Sequence, residues 1–246
     1  MKTNYFNRIV LMTKRFLYGM SMGVYFLGTK RFKLPSRFFM HKREINIVAP
    51  QEPSLAWDFI NVLLDDEYGL REIISQPRTI LDIGANIGLF SLWARSCFQL
   101  ATVHAYEPNP QITSFTRKNL EQCDVIVFAE AVGSEMGFAS MIDGSESRLG
   151  QFATRESGEI VAVTLEEAIS RIGGTVDLLK LDCEGAEWEI FRNPKPFKDV
   201  KSIRMEYHLT EGRTISDVKR VASDLGFTIA RLEENSGFGI VWLYRP

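Results

Sequence analysis

Two short stretches gather the side chains best equipped for chemistry. Lys180-Leu-Asp-Cys-Glu-Gly-Ala-Glu187 carries Asp182, Glu184 and Glu187, and Glu206-Tyr-His208 adds a fourth acid and one of only three histidines. A carboxylate or imidazole placed beside a hydroxyl can accept its proton while a neighbouring acid orients it, and histidine titrates nearest neutrality. The same donors could instead hold a divalent cation. Glu184 and Glu187 would also suit a helix N-terminus, where the dipole favours acids. The reading taken forward makes His208 or Asp182 the base and Glu184 the orienting group, and assigns no metal ligand.

A second group looks suited to binding. In Leu81-Asp-Ile-Gly-Ala-Asn-Ile-Gly88, Gly84 would admit a ligand to the backbone and Gly88 would let a helix pack closely on the preceding strand. A dinucleotide fingerprint would read G-x-G-x-x-G, but Asn86 replaces its second glycine and the third comes one residue early. Asp82 is an anion where a pyrophosphate would want only N–H donors, so a cationic ligand fits better. Glu107, in Tyr106-Glu-Pro-Asn-Pro110, stands 25 residues past Asp82. An acid there can accept hydrogen bonds from both hydroxyls of a ribose. Glu130 could accept one from an adenine amino group, or be a solvated loop residue.

These residues need a scaffold that brings strand ends together. Largely apolar runs at 78–83, 101–106, 125–129, 176–181 and 201–207 read as strands, most of them followed by segments of helical period. That alternation implies an α/β layered fold with right-handed crossovers. The last two strands, 227–232 and 239–244, have no helix between them, so a mainly parallel sheet should end in an antiparallel hairpin. Ligands of such sheets sit beyond the carboxyl ends of the strands, at the point where the strand order reverses. The Gly-, Ser- and Glu-rich excursion from Gly133 to Glu159 reads as a loop or hairpin that shapes the acceptor pocket.

Charge divides the chain. Residues 1–43 hold ten basic and no acidic side chains, whereas residues 44–246 hold nineteen basic and thirty-one acidic ones. The domain reading is therefore an apolar, basic arm over 1–50 and a catalytic body over 51–246. The arm's uninterrupted apolar run, Phe16 to Gly28, is 13 residues long, too short for a helical span of about 20. It either lies on an anionic membrane through residues 1–43 or packs on the body. With 45% apolar and 24% charged residues the chain is neither disordered nor a polytopic membrane protein. Its three scattered cysteines indicate a reducing compartment, the cytoplasm, with membrane association through the arm as the variant. The acidic body disfavours nucleic acid as partner.

The segments Ile80-Leu-Asp-Ile-Gly-Ala-Asn-Ile-Gly-Leu-Phe-Ser91, Tyr106-Glu-Pro-Asn-Pro110 and Val176–Glu187 together resemble the FkbM family of S-adenosylmethionine-dependent methyltransferases. The resemblance implies a class I methyltransferase Rossmann-like sheet of about seven strands that usually serves methylation of a hydroxyl oxygen. It places Asp82, Gly84 and Asn86 at the methionine end of the cofactor, Glu107 at the ribose and Glu130 beside the adenine. The acceptor would be a sugar, a glycan or another small molecule. The competing functions are an NAD-dependent oxidoreductase, which Glu107 would suit equally well, and a non-catalytic nucleotide-binding module.

Overall fold

The computed structural model describes residues 5–142, 151–155, 159–210 and 212–245. A seven-stranded sheet runs in the order β12-β13-β11-β10-β3-β4-β5. Its strands are β3 (Thr79–Ile83), β4 (Thr102–Tyr106), β5 (Ile126–Phe128), β10 (Leu178–Leu181), β11 (Ser202–His208), β12 (Thr228–Leu232) and β13 (Phe238–Tyr244). The five strands from β5 to β11 are parallel, and β13 lies antiparallel to both β11 and β12. This is the expected mainly parallel sheet with a closing hairpin. The central strands are apolar on both faces because helices cover both: Ile80, Leu81, Leu178, Leu179 and Leu181 are fully buried.

Local chemistry sets the helices. Helix α3 (Leu89–Cys97) starts after Gly88, whose φ of 90° is the left-handed turn out of β3. Helix α4 (Pro110–Leu120) has proline at its first position, and the Asn109 side chain accepts from Gln111 N–H. Thr164 caps α5 (Leu165–Arg171) by accepting from Glu167 N–H at 3.1 Å. Thr214 and Asp217 form a reciprocal capping box on α6 (Ile215–Asp224).

The excursion after β5 is built as a second sheet, in the order β6-β9-β7-β8, from β6 (Glu130–Gly133), β7 (Gly137–Ile142), β8 (Gln151–Arg155) and β9 (Ile160–Thr164). Residues 143–150 and 156–158 of that excursion lie outside the described residues. Glu130 therefore opens a strand of the second sheet instead of ending one in the first.

The N-terminal segment shares the core of the body. Helix α1 (Tyr5–Ser21) is followed by Met22, Val24 and Phe26 and by the hairpin β1 (Arg37–Met40) and β2 (Arg43–Asn46). Phe26, Phe38, Met40 and Ile45 are buried in the same cluster as Phe59, Leu63 and Phe90. Arg15 clamps α1 to the body through two bonds to the Asp65 carboxylate, 2.8 and 2.5 Å long. Helix α2 (Ser54–Phe59) continues through a wider turn over Ile60–Leu64 beneath α1.

Candidate functional site

A cavity of about 810 Å³ opens at the carboxyl ends of β3, β4, β10 and β11. It lies where the strand order reverses, since β3 has β4 on one side and β10 on the other. Gly84 turns the chain out of β3 with φ of +77°, and a Cβ there would stand 1.8 Å from the carbonyl oxygen of Asp182. Its missing side chain thus makes room for the backbone leaving β10. Gly84 also lines the cavity, so the close strand approach adds a packing role to the ligand approach expected of it. Gly88 has a packing role, as expected, although its neighbour is a helix and not the strand. It is not among the lining residues, and a Cβ there would press on the Leu120 side chain at 2.9 Å. It serves the packing of α3 against α4.

Asn86 follows with φ of +48°. Its N–H donates to Glu107 Oε2 at 2.7 Å, while Asn109 N–H donates to Glu107 Oε1 at 2.8 Å. Both carboxylate oxygens are thereby fixed by backbone amides, and each keeps a lone pair for a further donor. Glu107 is 6% exposed, and burial pushes its pKa up to about 7 despite the two amides. Asn86 Oδ1 is buried without a partner and also belongs to the cavity wall. Glu130 lines the cavity as well and is held by Arg171 at 2.5 Å.

Asp82 behaves differently from the expectation. It is fully buried and absent from the cavity lining. One oxygen accepts from Ser91 Oγ at 2.6 Å and the other lies 3.3 Å from Lys180 Nζ. Asp82 thus serves as a buried counter-charge for Lys180 and sits behind the cavity wall, beneath Gly84. Lys180 reaches Asp182 at 3.4 Å and donates to the Gly84 carbonyl. Burial alone would lower its pKa, but Asp182 and Asp82 outweigh it and keep the ammonium charged.

Asp182 and Glu184 both line the cavity. Tyr68 donates its hydroxyl to Asp182 Oδ2 at 3.1 Å. His208 is not a lining residue. Its Nε2 lies 3.3 Å from Glu184 and 3.7 Å from Glu206, and its Nδ1 lies 3.2 Å from Glu187. Burial would depress its pKa, yet Glu184 and Glu187 overcome that and hold it at about 11. The acids around it thus favour the imidazolium, the form that has no free lone pair to act as base. Donor atoms of Asp182, Glu184 and His208 lie within 4.8 Å of one another, close enough to share a divalent ion.

Several lining residues escaped the sequence reading. Glu67 and Tyr68 enter from the segment after α2, and Asp58 from α2 itself. Glu67 is pushed well above the usual carboxylate range by burial and then by Glu206 and Asp182. The run Asp65-Asp-Glu-Tyr68 was the available signal, since three adjacent acids amid apolar residues need a reason. Lys180, a lone cation in the apolar strand Leu178–Leu181, was another. In the described part of the 133–159 excursion, residues 133–139 and Glu159 do not reach the cavity, so the expected shaping of the pocket by that segment is not seen there.

Comparison with known proteins bears on this arrangement. A family model described as the methyltransferase FkbM domain matches residues 82–235. Methyltransferase sdnD of Sordaria araneosa is 24% identical, with 69% of this chain and 81% of that protein covered. Methyltransferase 1 of Beauveria bassiana (strain ARSEF 2860) is 25% identical over 46% of this chain and 57% of its own length. Precorrin-6y C5,15-methyltransferase from Geobacter metallireducens GS-15 shares the fold, with a TM-score of 0.51 at 14% identity, covering 87% of this chain and 100% of that one.

Proposed function

This chain belongs to the FkbM methyltransferase family and is a methyltransferase, and on that premise we propose that it transfers the methyl group of S-adenosylmethionine to a hydroxyl oxygen of a sugar, glycan or small-molecule acceptor. The observation that carries the cofactor reading is Glu107, fixed by two amides at the end of β4 with lone pairs left for a ribose diol. The unpartnered Asn86 Oδ1 suits an ammonium donor at the methionine end. Asp58, Asp182, Glu184 and Glu206 around the cavity favour a cationic ligand. A nicotinamide dinucleotide would bring a pyrophosphate against them, which argues against the oxidoreductase reading.

The bound cofactor supplies a methyl group already activated on a sulfonium. The chain's task is then alignment, which can contribute about 7–11 kcal/mol. Asp182, steadied by Tyr68 and Lys180, accepts the hydroxyl proton as the oxygen–carbon bond forms and the carbon–sulfur bond breaks. Such base catalysis adds about 10²–10⁴-fold. Glu184 orients the acceptor, and the His208 imidazolium holds Glu184 and Glu206 in place. Glu130 is assigned to the adenine. We place the reaction in the cytoplasm, in keeping with three unpaired cysteines.

Calorimetric titration with S-adenosylmethionine, run beside Glu107→Ala, tests the reading. Micromolar binding that the variant loses is the expected result. A well-folded protein that binds no S-adenosylmethionine would overturn it, and binding without any turnover across hydroxylated acceptors would favour a non-catalytic module.

A further inference from the structure

Helix α1 is apolar on the wrong side for an ordinary surface helix. Met12, Arg15, Tyr18 and Gly19 face the body. On the opposite arc Ile9, Val10, Phe16, Leu17 and Met20 are all exposed, Leu17 to 59%. Their seven- and four-residue spacing lines them up as one stripe along the helix. Tyr25 and Leu27 extend the exposed apolar surface past its end. A solvated helix would carry charge on that arc, and here the nearest charge stands beside it, at Lys14.

We propose that α1 is a membrane-docking helix that lies in the plane of an anionic bilayer, with the rim of the cavity facing the lipid. Charge selects this occupant. Residues 1–43 contain ten basic and no acidic side chains. A symmetric contact between two copies through the stripe would set these two acid-free segments against each other. Anionic headgroups complement them instead, while the apolar stripe enters the acyl boundary. No helix among the described residues is long and apolar enough to cross a membrane, and α1, at 17 residues, lies on it. The geometry ties this surface to the cavity, because Leu11, Lys14 and Tyr18 of the same helix form part of the cavity wall and Trp57 stands at it. The docking argument is independent of the methyl-transfer reading. Only one consequence rests on that reading: the acceptor hydroxyl would belong to an amphiphile drawn from the bilayer.

The full chain is sedimented with vesicles of phosphatidylcholine alone or with phosphatidylserine added. Trp57 is 45% exposed, while Trp93, Trp188 and Trp242 are buried, so brominated acyl chains should quench mainly Trp57. The expected result is binding to the anionic vesicles, weakened at least about tenfold by Ile9→Glu with Leu17→Glu, and quenching that Trp57→Phe removes. Both charge substitutions are at exposed sites, and unchanged S-adenosylmethionine affinity and thermal midpoint would show that the variant is folded. Failure to bind anionic vesicles, binding undiminished in the double variant, or a dimer that Leu17→Glu dissolves would overturn the proposal. Binding without quenching would overturn the orientation. A failed cofactor titration would leave the docking result untouched and strike only the methyl-transfer reading.

Discussion

Lys180 on β10 holds its ammonium 3.3 Å from the Asp82 carboxylate on the neighbouring β3, and neither side chain reaches solvent appreciably. The two strands that carry the cavity floor are thus joined by a buried charge pair as well as by their backbone ladder. Lys180→Met would leave Asp82 charged and unpaired at zero exposure. The expected cost is about 3–5 kcal/mol, a fall of roughly 10 °C in the thermal midpoint for a chain of this length. Adding Asp82→Asn should restore part of the loss, because the uncompensated charge is then gone. Circular dichroism melts of the two variants would check both steps.

Glu107 should make cofactor affinity depend on pH. Its pKa in the folded protein is about 7, and a ribose diol needs the ionised form as acceptor. Affinity for S-adenosylmethionine should therefore rise with pH and level off above 7, being about tenfold weaker at pH 6 than at pH 8. The stability sign is opposite. An acid whose pKa is raised on folding is protonated in the folded chain while ionised in the unfolded one, so stability contributed by this site falls as pH rises from 4.5 through about 7. Titrations at the two pH values, with Glu107→Gln as control, would read the first effect. A flat affinity would remove Glu107 from the ribose site.

The fold was legible because the chain's local signals agree with one another. Apolar strands such as Leu178–Leu181, proline and asparagine at the start of α4, and glycine at the β3 turn all point to one layered sheet. The site was legible where spacing along the chain carries it, as with Glu107. It was less so where a residue's role depends on a neighbour far away in sequence. Gly84 answers to Asp182, Asp82 to Lys180, and His208 to three acids, none of which a linear reading can weigh. Tertiary surroundings were the missing quantity: burial turns Asp82 into a counter-charge, and neighbouring carboxylates hold the proton on His208 against the effect of burial.

His208 and Asp182 should separate cleanly by mutation. Asp182→Asn removes the proton acceptor, and turnover should fall by about 10²–10⁴-fold with cofactor affinity retained. His208→Asn should keep measurable turnover, since the imidazolium only positions Glu184 and Glu206. Single-turnover assays of both variants check this. Loss of all turnover in His208→Asn, together with a rate limb near pH 6.5 in the parent, would restore histidine as the base.

Removal of divalent ions gives a related outcome. Both ring nitrogens of His208 already lie against Glu184, Glu206 and Glu187, so an ion there would have to displace those contacts and the proton between them. Turnover should survive exhaustive chelation. Activity that is lost to chelator and regained with magnesium or manganese would make Asp182, Glu184 and His208 a metal site.

Tyr68 is the sharpest test of how Asp182 is positioned. Its ring packs edge-on against Phe90, with centroids 5.2 Å apart at 83°, and that contact survives in Tyr68→Phe. Only the hydroxyl that donates to Asp182 Oδ2 at 3.1 Å is lost. A hydrogen bond to a charged group is worth about 1.5–3 kcal/mol. If it fixes the carboxylate on the acceptor's proton, kcat should fall roughly tenfold or more. Cofactor affinity should change little, because the phenol touches neither Glu107 nor Asn86, while the thermal midpoint should fall by several degrees at most, about 2–4 °C per kcal/mol lost. Parallel calorimetry, melting and steady-state assays separate these effects. A variant with parental kcat would show that Lys180 alone is enough to hold Asp182 in place.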